Sequence, residues 1–462
     1  MADEPNLIFI IADDHRFDAM SVAGDPVIRT PVLDRLATEG AWFSHAHTMG
    51  GLNGAVCVPS RATILSGCSP MRCPGGPRPS GRRLDPDRAL WPERLRRAGW
   101  HTHGIGKWHN EKPAFQRCFE SGEGIFFGGM GNPFNLPLHD YDPAGEYPSE
   151  RARRCDDHAT DVLCDAGGRF IREQADADGP FCLYLALTSP HDPRTAPPPW
   201  SDMYDPAEMP LPPNFMPEHP FDNGELEIRD ELLAGMPRRK DEIRRHMADY
   251  AAMISHMDAA IGRVLDALDE TGQAENTIVV YTGDHGLAVG RHGLMGKQNL
   301  YDHSIRIPLI MRGPGISAGQ EIDGMVSNID VHPTLLELCG LSVASDVEGV
   351  SLKPILDGQT QTVRHNVYAM YSNLHRTVSD GQWKLIRYWP DDQAEGEDET
   401  GSGETRWQLF NLQSDPWELN DLAGRREHED QALRLAQELV DWQERDGDFL
   451  STDTPALVRA TS

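Results

Sequence analysis

The feature that most constrains the fold is a set of short β-prone runs, each ending in ionisable residues and each succeeded by helical sequence. Residues 6–12, 100–105, 181–188, 277–282 and 307–311 are too short for helices and read as strands of a sheet covered on both faces. Thr30-Pro31 opens a helix that ends by Gly40, and residues 331–339 form another before Gly340. A long helix over 240–271 carries Ile243, Met247, Tyr250, Ile254, Met257, Ile261 and Leu265 on one stripe, which reads as core. This alternation predicts an α/β fold: a large, mostly parallel sheet sandwiched by helices.

After about residue 349 the pattern changes to alternating strands at 367–371, 383–388 and 407–411, then a charged helix over 427–445. The expected division is a large α/β domain over 1–348 and a smaller C-terminal α+β domain over 349–462, with an antiparallel sheet and a helix. Proline-crowded stretches at 70–92 and 192–222 read as surface excursions that shape a pocket, and the acidic insert 391–404 as a solvated hairpin loop. Arginines 72, 78, 82, 83 and 194 on these excursions could contact a second anionic group, although exposed loop arginines are usually just solvated.

With 43 bases against 72 acids the net charge is -29, which argues against nucleic acid or an anionic membrane surface as partner. No apolar run is long enough to cross a bilayer. The opening Met1-Ala2-Asp3-Glu4-Pro5 leads straight into a strand, so no secretory signal is expected. Eight cysteines without CxxC spacing favour a reducing compartment, and the expected location is cytoplasmic. Nothing in the sequence sets the oligomeric state.

In open α/β sheets ligands bind beyond the carboxyl ends of the strands. Four such ends are ionisable here: Asp13-Asp14-His15, Lys107-Trp108-His109, Ser189-Pro190-His191 and Asp284-His285-Gly286. Gathering Asp13, Asp14, Asp284 and His285 is costly unless a divalent cation neutralises them, so a metal is predicted there; the bland alternative is surface acids with a helix cap. Lys107, Lys297 and Arg61 would supply positive charge for an anionic transition state. Pro59 suits a first helical position, which puts Cys57 at a helix N-terminus, although a buried structural cysteine is the commoner fate.

The stretch Cys57-Val58-Pro59-Ser60-Arg61 with Leu65-Ser66-Gly67 resembles the CxPSRxxxL(T/S)G signature of type I, formylglycine-dependent sulfatases in the alkaline phosphatase superfamily. Supporting stretches are Asp13-Asp14, Gly104-Ile105-Gly106-Lys107-Trp108-His109, Ser189-Pro190-His191, Gly283-Asp284-His285-Gly286, Gly296-Lys297, Trp383-Lys384-Leu385-Ile386 and Asp415-Pro416-Trp417-Glu418-Leu419. The resemblance implies an alkaline phosphatase-like fold and a sulfatase that hydrolyses an aryl or carbohydrate sulfate monoester to alcohol and inorganic sulfate. It implies conversion of Cys57 to formylglycine by a maturation enzyme. One hydroxyl of the hydrated aldehyde would attack sulfur, and loss of the second hydroxyl's proton would expel sulfate.

By the family's pattern Asp13, Asp14, Asp284 and His285, with an oxygen of the converted Cys57, hold one divalent ion. Arg61 lowers the nucleophile's pKa, Lys107 and Lys297 grip the sulfate, His109 takes the second hydroxyl's proton, and His191 with Lys297 serves the leaving oxygen. Calcium is the expected ion, but His285 stands where many members have Asn, and because imidazole suits manganese or zinc better the metal's identity is open, with manganese as the alternative. The same departure admits a phosphonate monoester or phosphodiester hydrolase. A non-catalytic binding protein with unconverted Cys57 is the third reading.

Overall fold

A computed structural model describes residues 4–74, 81–389 and 403–450. The main sheet is built from β1 (Asn6–Asp13), β2 (Ala41–Phe43), β3 (His101–Lys107), β4 (Ser121–Phe126), β5 (Phe181–Pro190), β6 (Thr277–Gly283), β7 (Leu309–Arg312) and β8 (Gln320–Ile322). Their order is β8-β2-β7-β6-β1-β5-β3-β4, and only β7 runs antiparallel to its neighbours. The expected α/β architecture is therefore observed.

β1 lies inside this sheet, and its side chains alternate between two cores. Leu7, Phe9 and Ile11 pack with Trp91, Leu95 and Phe115 on one side. Ile8, Ile10 and Ala12 pack with Leu163, Phe170, Ile261 and Leu265 on the other. The covering helices include α1 (Pro31–Thr38), α2 (Cys57–Ser66), α3 (Trp91–Ala98), α4 (Lys112–Cys118), α5 (Ala159–Glu173), α6 (Lys240–Glu270) and α7 (Val331–Leu338). In α6 the expected stripe is core: Ile243, Tyr250, Ile254, Met257, Ile261 and Leu265 are buried.

One strand differs from expectation. Pro308, which has no N–H to give a ladder, separates β7 from Arg306–Ile307, and the latter pairs with Ala46–His47 in a small separate sheet. A second sheet holds β9 (Val367–Tyr371), β10 (His375–Ser379), β11 (Trp383–Tyr388) and β12 (Arg406–Asn411), packed under α8 (Glu429–Asp446). These four strands are antiparallel, but the edge is completed by Gly50–Gly51, which pairs parallel to β9. Two glycines carry no strand signal, so this crossing from the first hundred residues was invisible in the sequence. Most of the acidic insert 391–404, and Arg78, lie outside the described residues.

β3 delivers Lys107 to the sheet edge through a register shift against β4 between Ile105 and Lys107. Gly106 makes this feasible. It has φ +87°, and a Cβ there would stand 1.9 Å from the Ala186 carbonyl oxygen of β5. Gly106→Ala is predicted to cost about 2–4 kcal/mol and to abolish turnover by displacing Lys107. Gly99→Ala is the control, with φ +108° but nothing within 4 Å of the added carbon. Thermal denaturation of both variants checks this; equal melting temperatures would contradict it.

Candidate active site

Asp13 closes β1, Lys107 closes β3, and Asp284 with His285 lie just beyond β6, so strands of one sheet deliver them to the same end of it. α2 enters this end with Cys57 as its first residue, and Pro59 stands third rather than first, still within the turn whose N–H groups need no carbonyl partner. Cys57 is 1 % exposed. Arg61, one turn further along α2, donates from Nε to Asp284 Oδ2 at 3.0 Å and from Nη1 to the Lys107 carbonyl at 3.0 Å. Lys107 Nζ donates to Asp13 Oδ2 and lies 3.6 Å from Cys57 Sγ.

Asp14 adopts φ +69°, which turns its backbone N–H onto Asp284 Oδ1 at 3.1 Å. Its own carboxylate accepts from Lys297 Nζ at 2.7 Å, while Tyr250 donates to its carbonyl at 2.7 Å. The structure thus gathers Asp13, Asp14, Cys57, Arg61, Lys107, Asp284, His285 and Lys297 into one buried cluster.

This geometry changes the physical case for a metal. The three carboxylates do not depend on a cation for neutralisation, because Arg61, Lys107 and Lys297 already pair with them. What points to a cation is two buried donor atoms with no hydrogen-bond partner, Asp13 Oδ1 and His285 Nε2. His285 Nδ1 donates to the Gly286 carbonyl at 2.9 Å, which leaves Nε2 as the ligating nitrogen. Donor atoms of Asp13, Cys57, Asp284 and His285 all lie within 4.8 Å of one another. Asp14 sits at the margin of this set, with its Oδ1 3.3 Å from His285 Nε2. The residues therefore fit one divalent ion.

Burial opposes charge on Asp284, yet His285, Arg61 and Lys107 outweigh it and hold the carboxyl well below its usual range. Burial also opposes charge on His285, but Asp284 and then Asp14 push it up to about 9, so a divalent ion held at Nε2 would take the place of a proton there. His109, with φ +55°, is pushed down to about 2 by burial and by Lys107, so it is a neutral imidazole at ordinary pH. Burial, and then Lys297, also pushes His191 well down.

Above the cluster is a pocket of about 490 Å³ whose floor includes Cys57, His109, His191 and Lys297. Its walls include Gly129 and Met130, the stretch from Gly224 to Asp230, and Tyr371 and Ser372 from the second sheet. Gly129 is required there, since a Cβ would come 2.9 Å from His109 Nε2. Sequence reasoning missed Arg229, Asp230, Gln298 and Tyr371. Gln298 adjoins Lys297, but Arg229 and Asp230 lie in an aperiodic excursion and Tyr371 in a distant strand, and neither carries a local signal. Two of the excursion arginines pair elsewhere: Arg72 with Glu348 and Arg83 with Glu111.

Comparison with known proteins gives a consistent answer. The sulfatase family model matches residues 5–341, and the C-terminal model of N-sulphoglucosamine sulphohydrolase matches residues 290–445. An N-acetylglucosamine-6-O-sulfatase of Bacteroides thetaiotaomicron is 28% identical over 96% of this chain and 86% of its own length. A solved structure of a protein in complex with its substrate D-glucosamine-2-N,6-O-disulfate superposes with TM-score 0.80 and 26% identity, covering 97% of this chain and 99% of that one. A phosphonate monoester hydrolase from Silicibacter pomeroyi shares the fold, with TM-score 0.73 and 23% identity over 96% of each chain. Since the sulfatase model spans residues 5–341 of 462, the chain belongs to the sulfatase family of sulfuric ester hydrolases.

Proposed function

We propose that this sulfatase hydrolyses the sulfate monoester of a hydroxylated, carbohydrate-type alcohol, using Cys57 converted to formylglycine and one divalent ion. The observation that carries the reading is the placement of Cys57 on the pocket floor, between Lys107 and the two unpartnered donors of the cation cluster. The pocket's size and its mixed apolar and polar walls suit a small sugar better than a polymer buried along its length. The resemblance of the whole chain to an N-acetylglucosamine-6-O-sulfatase supports the same substrate class.

Formylglycine supplies, as its hydrate, a hydroxyl able to attack sulfur. A divalent ion held by Asp13, Asp14, Asp284 and His285 would supply Lewis-acid activation and leave the otherwise balanced cluster net positive, as a sulfate ester requires. Calcium suits the three carboxylates; manganese is the alternative that the imidazole admits.

The chain's own groups do the rest. Lys107 and Lys297 place fixed positive charge where sulfate oxygens would sit, and Arg61 holds Asp284 in its ligating orientation. His109 lines the same pocket as Cys57 and would take the second hydroxyl's proton there. His191 and Lys297 lie on the Asp14 side, where the departing oxygen would be met. Cys57 and the rest of α2 are buried, so a formylglycine-generating maturation enzyme would have to act before folding. All eight cysteines are free thiols, which keeps a cytoplasmic location part of the proposal.

His285 supports one rival, a phosphonate monoester hydrolase using the same cleft. Assays of one preparation on 4-nitrophenyl sulfate and on an aryl phosphonate monoester should show the sulfate preferred; the reverse order would favour the rival. The proteolytic peptide containing Cys57 should show sulfur replaced by aldehyde oxygen, and Cys57→Ala should abolish turnover without lowering the melting temperature. An unmodified thiol in active enzyme would refute the nucleophile. Chelation should lower both activity and melting temperature, and calcium or manganese should restore them. His285→Ala should weaken that restoration by at least about 10-fold in metal concentration. Indifference of the parent enzyme to chelation would exclude the cation site.

A further inference from the structure

One arginine of the pocket wall has no part in this scheme. Arg229 lines the same cavity as Cys57, and its side chain is 46% exposed. An exposed arginine on an aperiodic excursion is ordinarily solvated and free to turn. This one is held. Its Nη1 donates to Asp192 Oδ1 at 3.3 Å and to Asp230 Oδ1 at 2.6 Å, and its Nη2 donates to Asp192 Oδ2. Both carboxylates are buried, with Asp192 6 % and Asp230 8 % exposed.

The support behind Arg229 is fixed as well. Asp230 Oδ2 accepts from Gln298 Nε2 at 2.8 Å, and the same amide nitrogen donates to the Gly54 carbonyl at 3.1 Å. Glu231 accepts from the backbone N–H groups of Met295 and Gly296, each at 2.8 Å. The segment is therefore tied to the loop that carries Lys297 and to the one that leads into Cys57. A guanidinium has five N–H bonds in one plane. Its Nη1–Nη2 edge faces Asp192, and the other Nη1 hydrogen goes to Asp230, so three are engaged. The Nε–H and the second Nη2 hydrogen remain, parallel on the other edge, and neither has a partner among the described residues.

We propose that this Nε–Nη2 edge of Arg229 binds two neighbouring hydroxyl oxygens of the sugar whose sulfate lies over Cys57, which makes Arg229 a specificity-determining residue. This rests on the carbohydrate reading above. Two parallel donors fit two acceptor oxygens side by side, which adjacent ring hydroxyls supply and a phenyl ring does not. Charge argues against a second anion at this place. One guanidinium faces two carboxylates, so the trio carries an excess negative charge that repels a carboxylate or a second sulfate but not a neutral hydroxyl. Because Asp192 and Asp230 already hold the guanidinium still, the sugar binds it with little further loss of side-chain freedom.

The test uses the mature full-length enzyme, 4-nitrophenyl sulfate, and the monosulfates of methyl glucoside and methyl galactoside, the best-cleaved of these being taken on with its monodeoxy analogues. Arg229→Met should lose about 10²-fold in kcat/KM on the sugar sulfate and under about 5-fold on 4-nitrophenyl sulfate. Arg229→Lys keeps a positive charge between the two carboxylates but not the two parallel donors, so it should fold like the parent and still lose the sugar. In the parent, removing either hydroxyl of one adjacent pair should cost about 10-fold, and in Arg229→Met almost nothing further. Equal losses on the two substrate types, recovery of the sugar by Arg229→Lys, or deoxy losses that persist in full in Arg229→Met would overturn the proposal. So would a parent that prefers a sugar sulfate carrying an added carboxylate. A parent that cleaves 4-nitrophenyl sulfate but none of the sugar sulfates would overturn the carbohydrate reading and this inference with it. A parent that cleaves the sugar, beside an Arg229→Met variant that loses both substrates alike, would overturn the inference alone.

Discussion

The structure depends on a balanced group of buried charges at the carboxyl ends of the central strands. Asp13, Asp14 and Asp284 face Arg61, Lys107 and Lys297, and none of the six is more than 4 % exposed. Removing six charges from water is costly, and the cost is offset only when each group has an oppositely charged partner at close range. That requirement fixes the register of β1, β3 and β6 relative to α2, since a one-residue slip would turn the strand-end side chains to the opposite face. It also explains the departures from ordinary backbone nearby. Asp14 and His109 take positive φ, and Gly106 approaches the neighbouring strand as only glycine can, to bring ionisable groups to one point.

Balance within the protein alters how a cation would act there. With carboxylates and bases already matched, a divalent ion adds positive charge instead of cancelling an excess of negative charge. The cleft then attracts an anionic ester although the whole molecule carries a net charge of -29. The unpartnered donors, Asp13 Oδ1 and His285 Nε2, mark the place kept for that ion.

The second sheet is part of the site as well as a support for it. Gly50–Gly51 pairs with β9 only a few residues before α2, so the strand carrying Tyr371 is tied to the segment that leads into Cys57. Lys384 of β11 is buried between Asp302 at 2.8 Å and Glu418 at 2.7 Å, a further charged link between the two sheets' surroundings. A pocket wall built from both parts means that the shape offered to the substrate depends on how they are joined.

The sequence by itself determined the α/β class, the strands and the chemistry at their ends. Apolar runs of strand length must be covered on both faces, and the residues just past their ends must be polar, so Asp13, Lys107, His191 and Asp284 were legible without any contact map. The signature around Cys57 was legible for a different reason, because its residues are close together along one helix. Two things were decided only by the tertiary structure. The carboxylates proved to be matched by bases from α2, β3 and the Lys297 loop, which a count of acids at strand ends could not show. The surroundings of His191 and Lys297 came from Arg229, Asp230 and Tyr371, whose meaning lies in long-range approach. Local periodicity records which face a residue presents, but hydrogen bonds between segments tens or hundreds of residues apart leave no trace in it.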